Sequence, residues 1–231
     1  MIRRQAGYVR RMVQTADTAE VVRLVAGGAQ LVDVLPAATF KREHLPGAVS
    51  IPLSEIDSAS ERLDLSRPVV VYCYDFQCDL SPRGACRLEQ LGFEPVYDYV
   101  ASKAAWLAEG YHGDGLMRDE ERAGAVTRRD VPRVAPETKL GDLASVIGGW
   151  EVVVVVGGDD IVVGVVRAEA VGIADAVPVD AVMQTAPSTI RPSISIQELA
   201  QSMDDDGQRH LLVTTLGGKL IGLVRRDDLS A

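Results

Sequence analysis

The sequence reads VVVYCYDFQCDLSPRGACRLEQLG from residue 69 to residue 92. It begins with the apolar run 69–72, a pattern typical of a central strand that is buried on both faces. Ser81 and Pro82 then predict the start of a helix, with the serine as N-cap and the proline at the first helical position. The residues between form a loop at the carboxyl end of the strand, where open α/β sheets bind ligands.

Strand and helix patterns alternate on both sides of this stretch. A helix predicted to begin at Asp17 or Thr18 and a short strand over residues 31–34 precede it. A strand over residues 96–99 and a helix over residues 101–109 follow it. This alternation predicts an α/β fold with a doubly wound parallel sheet.

The second half of the chain contains an internal repeat. Residues 162–167 read VVGVVR, and residues 220–225 read LIGLVR, 58 positions later. Residues 134–136 match residues 190–192 in the same way, 56 positions later. Each repeat is predicted to contain a short strand, a helix, two strands joined by a glycine-containing turn, and a terminal helix.

These patterns predict four segments in the 231-residue chain. The first is an Arg-rich arm that lacks the apolar core of a secretion signal. The second is the α/β domain, the third a polar linker without apolar periodicity, and the fourth the repeat pair. Their predicted bounds are 1–14, 15–112, 113–131 and 132–231, with the repeats at 132–175 and 180–231.

Charge and cysteine content restrict the classes of partner. The chain has 24 Lys and Arg against 33 Asp and Glu, a formal net charge of −9, which opposes nucleic acid and anionic membranes. No apolar run approaches the roughly 20 residues that span a bilayer. Three cysteines without a secretion signal favour a reducing, cytoplasmic location. Scattered histidines and the lack of a Cys-x-x-Cys pair predict no metal site.

The first candidate for chemistry is Cys73, which follows the strand directly. Backbone N–H groups of the loop and the start of the helix are expected to form an anion cradle that lowers its pKa and activates it. Two loop carboxylates, Asp75 and Asp79, oppose a thiolate. Cys86, in the helix, is expected to be a buried structural thiol. The predicted active-site loop comprises Tyr74, Asp75, Phe76, Gln77, Asp79, Leu80 and Ser81.

Several motifs of the first half together resemble a rhodanese-like (sulfurtransferase) domain. The matching residues are Leu31-Val32-Asp33-Val34, Glu43-His44-Leu45-Pro46-Gly47-Ala48, Ile51-Pro52, Val70-Val71-Tyr72-Cys73, Leu91-Gly92-Phe93, Val96-Tyr97, and Ala105-Trp106 with Gly110. The resemblance implies that Cys73 takes a sulfane sulfur from thiosulfate or another small donor and passes it, as a persulfide, to a thiol acceptor. It implies no required cofactor.

Alternatives remain open for the nucleophile and for the activity. Arg83 lies five residues after Cys78, the spacing that a rhodanese arginine usually has from its nucleophile, so Arg83 is a candidate substrate cation and Cys78 an alternative nucleophile. A third interpretation uses both thiols, with Cys78 resolving a reacted Cys73. Leu35 stands where the family usually has an arginine, and the loop is longer and acidic. The alternative function is therefore a non-enzymatic redox or nucleotide-sensing regulator.

The repeat pair resembles a pair of CBS domains, which implies an adenosine ligand. By resemblance Asp228 holds ribose hydroxyls, whereas the first repeat has Ala170 at the matching position and Arg225 replaces the usual Ser or Thr. The implied regulatory ligand is an adenine nucleotide such as AMP, ADP or ATP, or an S-adenosyl compound. CBS pairs also self-associate, which implies a homodimer. The predicted nucleotide-binding residues are Thr189, Ile190, Arg191, Arg225 and Asp228.

Overall fold

The computed structural model of the protein describes residues 13–117, 121–172 and 174–229. Residues 1–12 of the predicted arm and residues 118–120 of the predicted linker lie outside the described residues. None of the helices in the described part of the chain is long and apolar enough to cross a membrane.

The described residues form two units. The first takes residues 13–106 and 112–117, and the second takes residues 107–111 together with the rest of the chain. The domain boundaries drawn from the sequence stay a prediction.

The first unit is built on a five-stranded parallel sheet. Its strands lie in the order β1-β6-β5-β2-β4, and every neighbouring pair is parallel. Strands β3 and β7 form a separate antiparallel pair. The predicted parallel α/β fold is thereby confirmed. The strands are β1 (Gln14–Thr15), β2 (Gln30–Asp33), β3 (Glu43–His44), β4 (Val49–Ser50), β5 (Val69–Tyr72), β6 (Val96–Asp98) and β7 (Asp114–Gly115).

Four α-helices accompany this sheet, and Leu53–Glu61 forms a 3₁₀ segment. The first helix begins as predicted, because the Asp17 side chain accepts the N–H of Glu20 at 2.8 Å. The third helix begins at Leu80, so the prediction of Ser81 as its N-cap is wrong. Leu80 packs against the core and Ser81 is buried, so packing places this first turn. The helices are α1 (Thr18–Ala26), α2 (Ala37–Arg42), α3 (Leu80–Gln90) and α4 (Ser102–Ala108).

Helix α3 lies close against the sheet. A Cβ on Gly84 would lie 3.0 Å from Val34 Cγ1 and 3.4 Å from Val71 Cγ1, so glycine permits this approach. The four residues of β5 have no exposed surface. The first turn of α3 is thereby held beside the carboxyl end of β5.

The second unit contains the predicted repeat. One sheet has the order β11-β10-β9-β8 and the other the order β12-β13-β14, and each repeat contains an antiparallel hairpin. The turns of the two hairpins contain Gly157-Gly158 and Gly217-Gly218, as predicted. The strands are β8 (Arg133–Val134), β9 (Val152–Val156), β10 (Val162–Arg167), β11 (Gln184–Thr185), β12 (Thr189–Ile190), β13 (His210–Thr214) and β14 (Leu220–Arg225). The helices are α5 (Ala123–Val126) and α6 (Ile196–Asp205).

The helices predicted within the repeats are shorter than expected, apart from α6. The first repeat has the 3₁₀ segment Leu140–Ser145 instead of an α-helix, and the terminal helices are the 3₁₀ turns Ala168–Ala170 and Arg226–Leu229. Gly141 and the Gly148-Gly149 pair weaken a helix in the first repeat. In contrast, the Ser195 hydroxyl caps α6 by accepting the N–H of Glu198.

The predicted linker, residues 113–131, is folded where the structure describes it. Strand β7 pairs with β3, and Ala123 is fully buried in the second unit. Arg128 exchanges two backbone hydrogen bonds with Leu223 of β14, at 2.9 and 3.0 Å. A Cβ on Gly222 would collide with the Arg128 carbonyl oxygen, so this close approach requires glycine.

Candidate functional site

Cys73 lies at the carboxyl end of β5 with no exposed surface. Its backbone N–H donates to Ser102 Oγ at 3.0 Å. Its Sγ lies 3.4 Å from the carbonyl oxygen of Cys78 and 3.6 Å from Ser102 Oγ. The sulfur is therefore enclosed by the loop on one side and by the start of α4 on the other.

The loop after Cys73 turns its N–H groups toward its own carboxylate. Asp75 Oδ1 accepts the backbone N–H of Gln77 at 2.9 Å and that of Cys78 at 3.1 Å. The carbonyl oxygens of Asp75 and Cys78 face the sulfur, at 3.9 and 3.4 Å. In this conformation Asp75 engages two loop N–H groups of the expected anion cradle, whereas the backbone N–H of Ser81, at the start of α3, acts on the sulfur and lowers the pKa of the thiol.

The environment of Cys73 favours the neutral thiol. Burial is the largest influence and raises the pKa of the Cys73 thiol. Hydroxyls of Ser81 and Ser102 lower this pKa, and the Cys78 thiol raises it. The expectation of a lowered pKa is therefore wrong, since desolvation outweighs the neighbouring donors.

Two buried carboxyl groups lie at the ends of the strands beside β5. Burial raises the pKa of Asp33 on β2 and of Asp98 on β6. Asp33 Oδ1 accepts the N–H of Leu35 at 2.8 Å. The Ser81 hydroxyl is near enough to Asp98 to lower its pKa, although neither Ser81 Oγ nor Asp98 Oδ1 has a hydrogen bond of normal geometry. Burial thus disfavours the ionised form of both carboxyl groups.

The other predicted site residues lie nearer the surface. Cys78 is half-buried, and its thiol is close enough to affect that of Cys73. Arg83 is exposed and pairs with Asp79 at 3.5 Å, an i,i+4 surface ion pair. Cys86 is exposed, so the expectation of a buried thiol is wrong, because that face of α3 points away from the sheet. Of the loop side chains, Tyr74 and Phe76 are exposed.

The sequence gives no signal for two residues that hold this loop. Ser102 is fully buried with a positive φ of 56°, and no motif marks it. The Lys103 ammonium donates to the Glu43 carbonyl at 2.8 Å and lies 5.4 Å from the centre of the Tyr74 ring. Both contacts join residues distant in the chain, so only the fold reveals them.

In the second unit, Asp228 is engaged by an arginine that no sequence motif marks. Its carboxylate accepts Arg128 Nε at 2.8 Å and Arg128 Nη2 at 2.6 Å, and also the N–H of Arg225 at 3.3 Å. The Arg128 guanidinium holds the pKa of Asp228 below its usual range. Arg191 donates through Nη1 to the hydroxyl of Thr214.

A cavity of about 450 Å³ lies elsewhere in the second unit. The Arg225 guanidinium contributes to its wall and stacks over the Trp150 ring at 4.7 Å. His210 also lines it, and burial lowers the pKa of that imidazole. The structure thus places one of the predicted nucleotide-binding residues on this cavity. The other four, Thr189, Ile190, Arg191 and Asp228, do not line it.

No group of three or more side chains suited to a metal ion occurs among the residues that the structure describes.

Comparison with known proteins identifies two segments of the chain. The model of the rhodanese-like domain matches residues 17–109, and that of the CBS domain matches residues 179–231. Thiosulfate sulfurtransferase GlpE of Pseudomonas savastanoi is 36% identical over 81 residues, which cover 35% of this chain and 74% of GlpE. The HTH-type transcriptional regulator Rv0324 of Mycobacterium tuberculosis is 37% identical over 60 residues, about a quarter of each chain (26%).

Among solved structures, the rhodanese-like domain of the Alr3790 protein from Anabaena sp. is 30% identical, with a TM-score of 0.40. The match covers 45% of this chain and 80% of that domain.

The Asp75 carboxylate is expected to keep the loop closed over Cys73. Replacing Asp75 with Ala should raise the rate of Cys73 alkylation by about tenfold, because hydrogen bonds to a charged group contribute about 1.5–3 kcal/mol and this exposed pair falls at the low end. Asp79→Ala is the matched control, since it also removes one loop carboxylate but leaves the N–H groups of the loop bonded. Timed alkylation with peptide mass spectrometry measures both. Equal rates in the two variants would contradict this role of Asp75.

Proposed function

This chain belongs to the rhodanese-like family and carries a CBS domain after the rhodanese-like domain, and on this premise we propose that it is a sulfurtransferase that uses Cys73. The observation that carries the proposal is the position of Cys73 Sγ at the carboxyl end of the central strand, between the loop and Ser102. Ligands of parallel α/β sheets bind at this edge. The resemblance to GlpE supports the same reaction class.

The reaction begins when the loop opens and the newly exposed Cys73 thiol loses its proton to solvent. The thiolate attacks the sulfane sulfur of a donor such as thiosulfate, so an Sγ–S bond forms while the S–S bond of the donor breaks. Sulfite leaves with the electron pair of the broken bond. A thiolate acceptor then attacks the outer sulfur of the persulfide, and the Cys73 thiolate is restored. No cofactor takes part in these steps.

The loop must move before a donor reaches Cys73, because the residue has no exposed surface. Opening releases the Cys78 carbonyl from its position 3.4 Å from Sγ and separates Asp75 Oδ1 from the N–H groups of Gln77 and Cys78. Those N–H groups then become available to an anionic donor. Arg83 lies in the first turns of α3 and pairs with Asp79. Along the chain it is the first cationic residue after the loop, so it is the candidate for attracting that donor.

Cys78 has two roles in this proposal that remain alternatives. Its thiolate either accepts the sulfur in place of Cys73 or resolves a persulfide that has formed on Cys73. In the second case its thiolate attacks Cys73 Sγ, a Cys73–Cys78 disulfide forms, and hydrosulfide leaves. The proximity of the two thiols supports this step.

A non-enzymatic regulator is the second candidate function, and a specific observation favours it. The Cys73 thiol is buried, its pKa is raised, and Asp75 holds the loop N–H groups. In this interpretation the thiol senses oxidants, and the second unit senses a nucleotide.

Intact-protein mass spectrometry after incubation with thiosulfate distinguishes these functions. We expect wild type and Cys78→Ser to gain the mass of one sulfur atom and Cys73→Ser to gain none, because Cys73 is the accepting atom. Cys86→Ser is the matched control, since Cys86 is exposed on α3. Loss of the adduct only in Cys78→Ser would assign the nucleophile to Cys78. No adduct with thiosulfate or with an organic persulfide would support the regulator.

We also propose that the second unit binds an adenosine ligand through Asp228 and that binding regulates sulfur transfer. The CBS family match supports the ligand class, and the lowered pKa of Asp228 keeps its carboxylate ionised to accept ribose hydroxyl protons. Arg128 already occupies both carboxylate oxygens, so a ribose must displace it. A homodimer and a cytoplasmic location stay predictions.

Titration calorimetry with AMP and with ATP tests this site. Asp228→Ala should weaken binding about tenfold, the effect of losing hydrogen bonds to a charged group. Arg128→Gln should strengthen it, because the variant removes the competitor of the ribose. Asp180→Ala is the matched control, since Asp180 is an exposed carboxylate of the second unit that does not line the cavity. Equal affinity in wild type and Asp228→Ala would overturn the assignment of Asp228.

A further inference from the structure

Ser102 combines burial, backbone strain and contact with the sulfur. Its φ of 56° lies in the left-handed region, which favours glycine because a Cβ crowds the following carbonyl there. The residue has no exposed surface. Its N–H donates to the Tyr99 carbonyl at 3.0 Å, and its Oγ donates to the same carbonyl at 2.8 Å. These bonds hold a conformation that serine rarely adopts.

The hydroxyl of Ser102 is also bonded to Cys73. Its Oγ accepts the Cys73 backbone N–H at 3.0 Å and lies 3.6 Å from Cys73 Sγ. The other atoms that contact Sγ at hydrogen-bonding geometry are the carbonyl oxygens of Asp75 and Cys78, which carry no proton. A thiolate is repelled by carbonyl oxygens and stabilised by an O–H donor. The hydroxyl and backbone N–H of Ser81 also lower the pKa of the Cys73 thiol, so Ser102 is one of two residues with a proton to offer the sulfur.

We propose that Ser102 is a positioning residue for sulfur transfer, whose O–H turns from the Tyr99 carbonyl to Cys73 Sγ when the sulfur ionises. A rotation about the Cβ–Oγ bond suffices, since Oγ itself need not move and continues to accept the Cys73 N–H. The inference rests on the proposed function, because it assigns this hydroxyl to the sulfur that reacts. The direction agrees with the lowering effect of Ser102 on the pKa of the Cys73 thiol.

Other titratable groups lie on the loop, on both neighbouring strands and on α4. They are Asp75, Asp79 and Cys78 on the loop, Asp33 on β2, Asp98 on β6, and Lys103 on α4. A variant at Ser102 leaves all of them in place. A change in the ionisation of Cys73 then reports the loss of the hydroxyl.

Two substitutions separate the hydroxyl from the backbone. Ser102→Gly removes the hydroxyl and accepts a positive φ without strain, so a purely structural role predicts unchanged or higher stability and an unchanged thiol. Ser102→Ala removes the same hydroxyl but keeps the strained Cβ. A shared effect of both variants on the sulfur therefore belongs to the hydroxyl.

The experiment uses the full chain in a Cys78→Ser, Cys86→Ser background, which leaves Cys73 as the single thiol. Ultraviolet absorbance of the thiolate is followed against pH, with the same chain carrying Cys73→Ser subtracted to remove the tyrosine signal. We expect both Ser102 variants to ionise at higher pH, with a thiolate fraction at neutral pH about fivefold lower, the effect of one hydrogen bond. Thermal unfolding confirms that Ser102→Gly is folded.

Sulfur uptake from thiosulfate, followed by mass, is measured in the same samples. A shifted absorbance curve with slower uptake supports the inference. An unchanged absorbance titration in folded Ser102→Gly overturns the inference, whether or not the rate of sulfur uptake changes. A shifted curve in a protein that takes up no sulfur from any donor overturns the proposed function and keeps the hydroxyl–sulfur contact.

Discussion

The end of strand β5 determines where the Cys73 sulfur lies. All four residues of β5 are buried, and the strand is paired on both sides, with β2 and with β6. A one-residue shift of register would turn every side chain to the opposite face and move Cys73 from its place at the end of the strand. Gly84 then brings α3 against the same strand. This scaffold fixes the position of the sulfur. Its reactivity then depends on the loop and on the residues next to the loop.

In each unit, another residue of the chain already bonds the polar groups that are predicted to bind a ligand. The Asp75 carboxylate accepts the loop N–H groups, and the Arg128 guanidinium covers both oxygens of Asp228. Both contacts are at least partly exposed to solvent. Opening such an ion pair or hydrogen bond costs little free energy. The structure therefore corresponds to a resting state of both sites. Ligand binding would replace an internal contact of each site with a contact to the ligand.

The parallel sheet, the repeat and both hairpins were predictable from the sequence, because apolar runs and glycines encode them locally. The enclosed state of Cys73 and the roles of Ser102 and Arg128 were not. Cys73 meets Ser102 across 29 residues, and Arg128 meets Asp228 across 100, so no local pattern records either contact. The same reason explains the start of α3, where packing of Leu80 overrides the capping signal of Ser81.

If Cys73 accepts sulfur when the loop opens, a crystal structure of the protein after reaction with thiosulfate will show it. We expect one additional sulfur bonded to Cys73 Sγ, with the Asp75 carboxylate withdrawn from the N–H groups of Gln77 and Cys78. A sulfur bonded to Cys78, or a loop that keeps both Asp75 contacts beside a persulfidated Cys73, would contradict it.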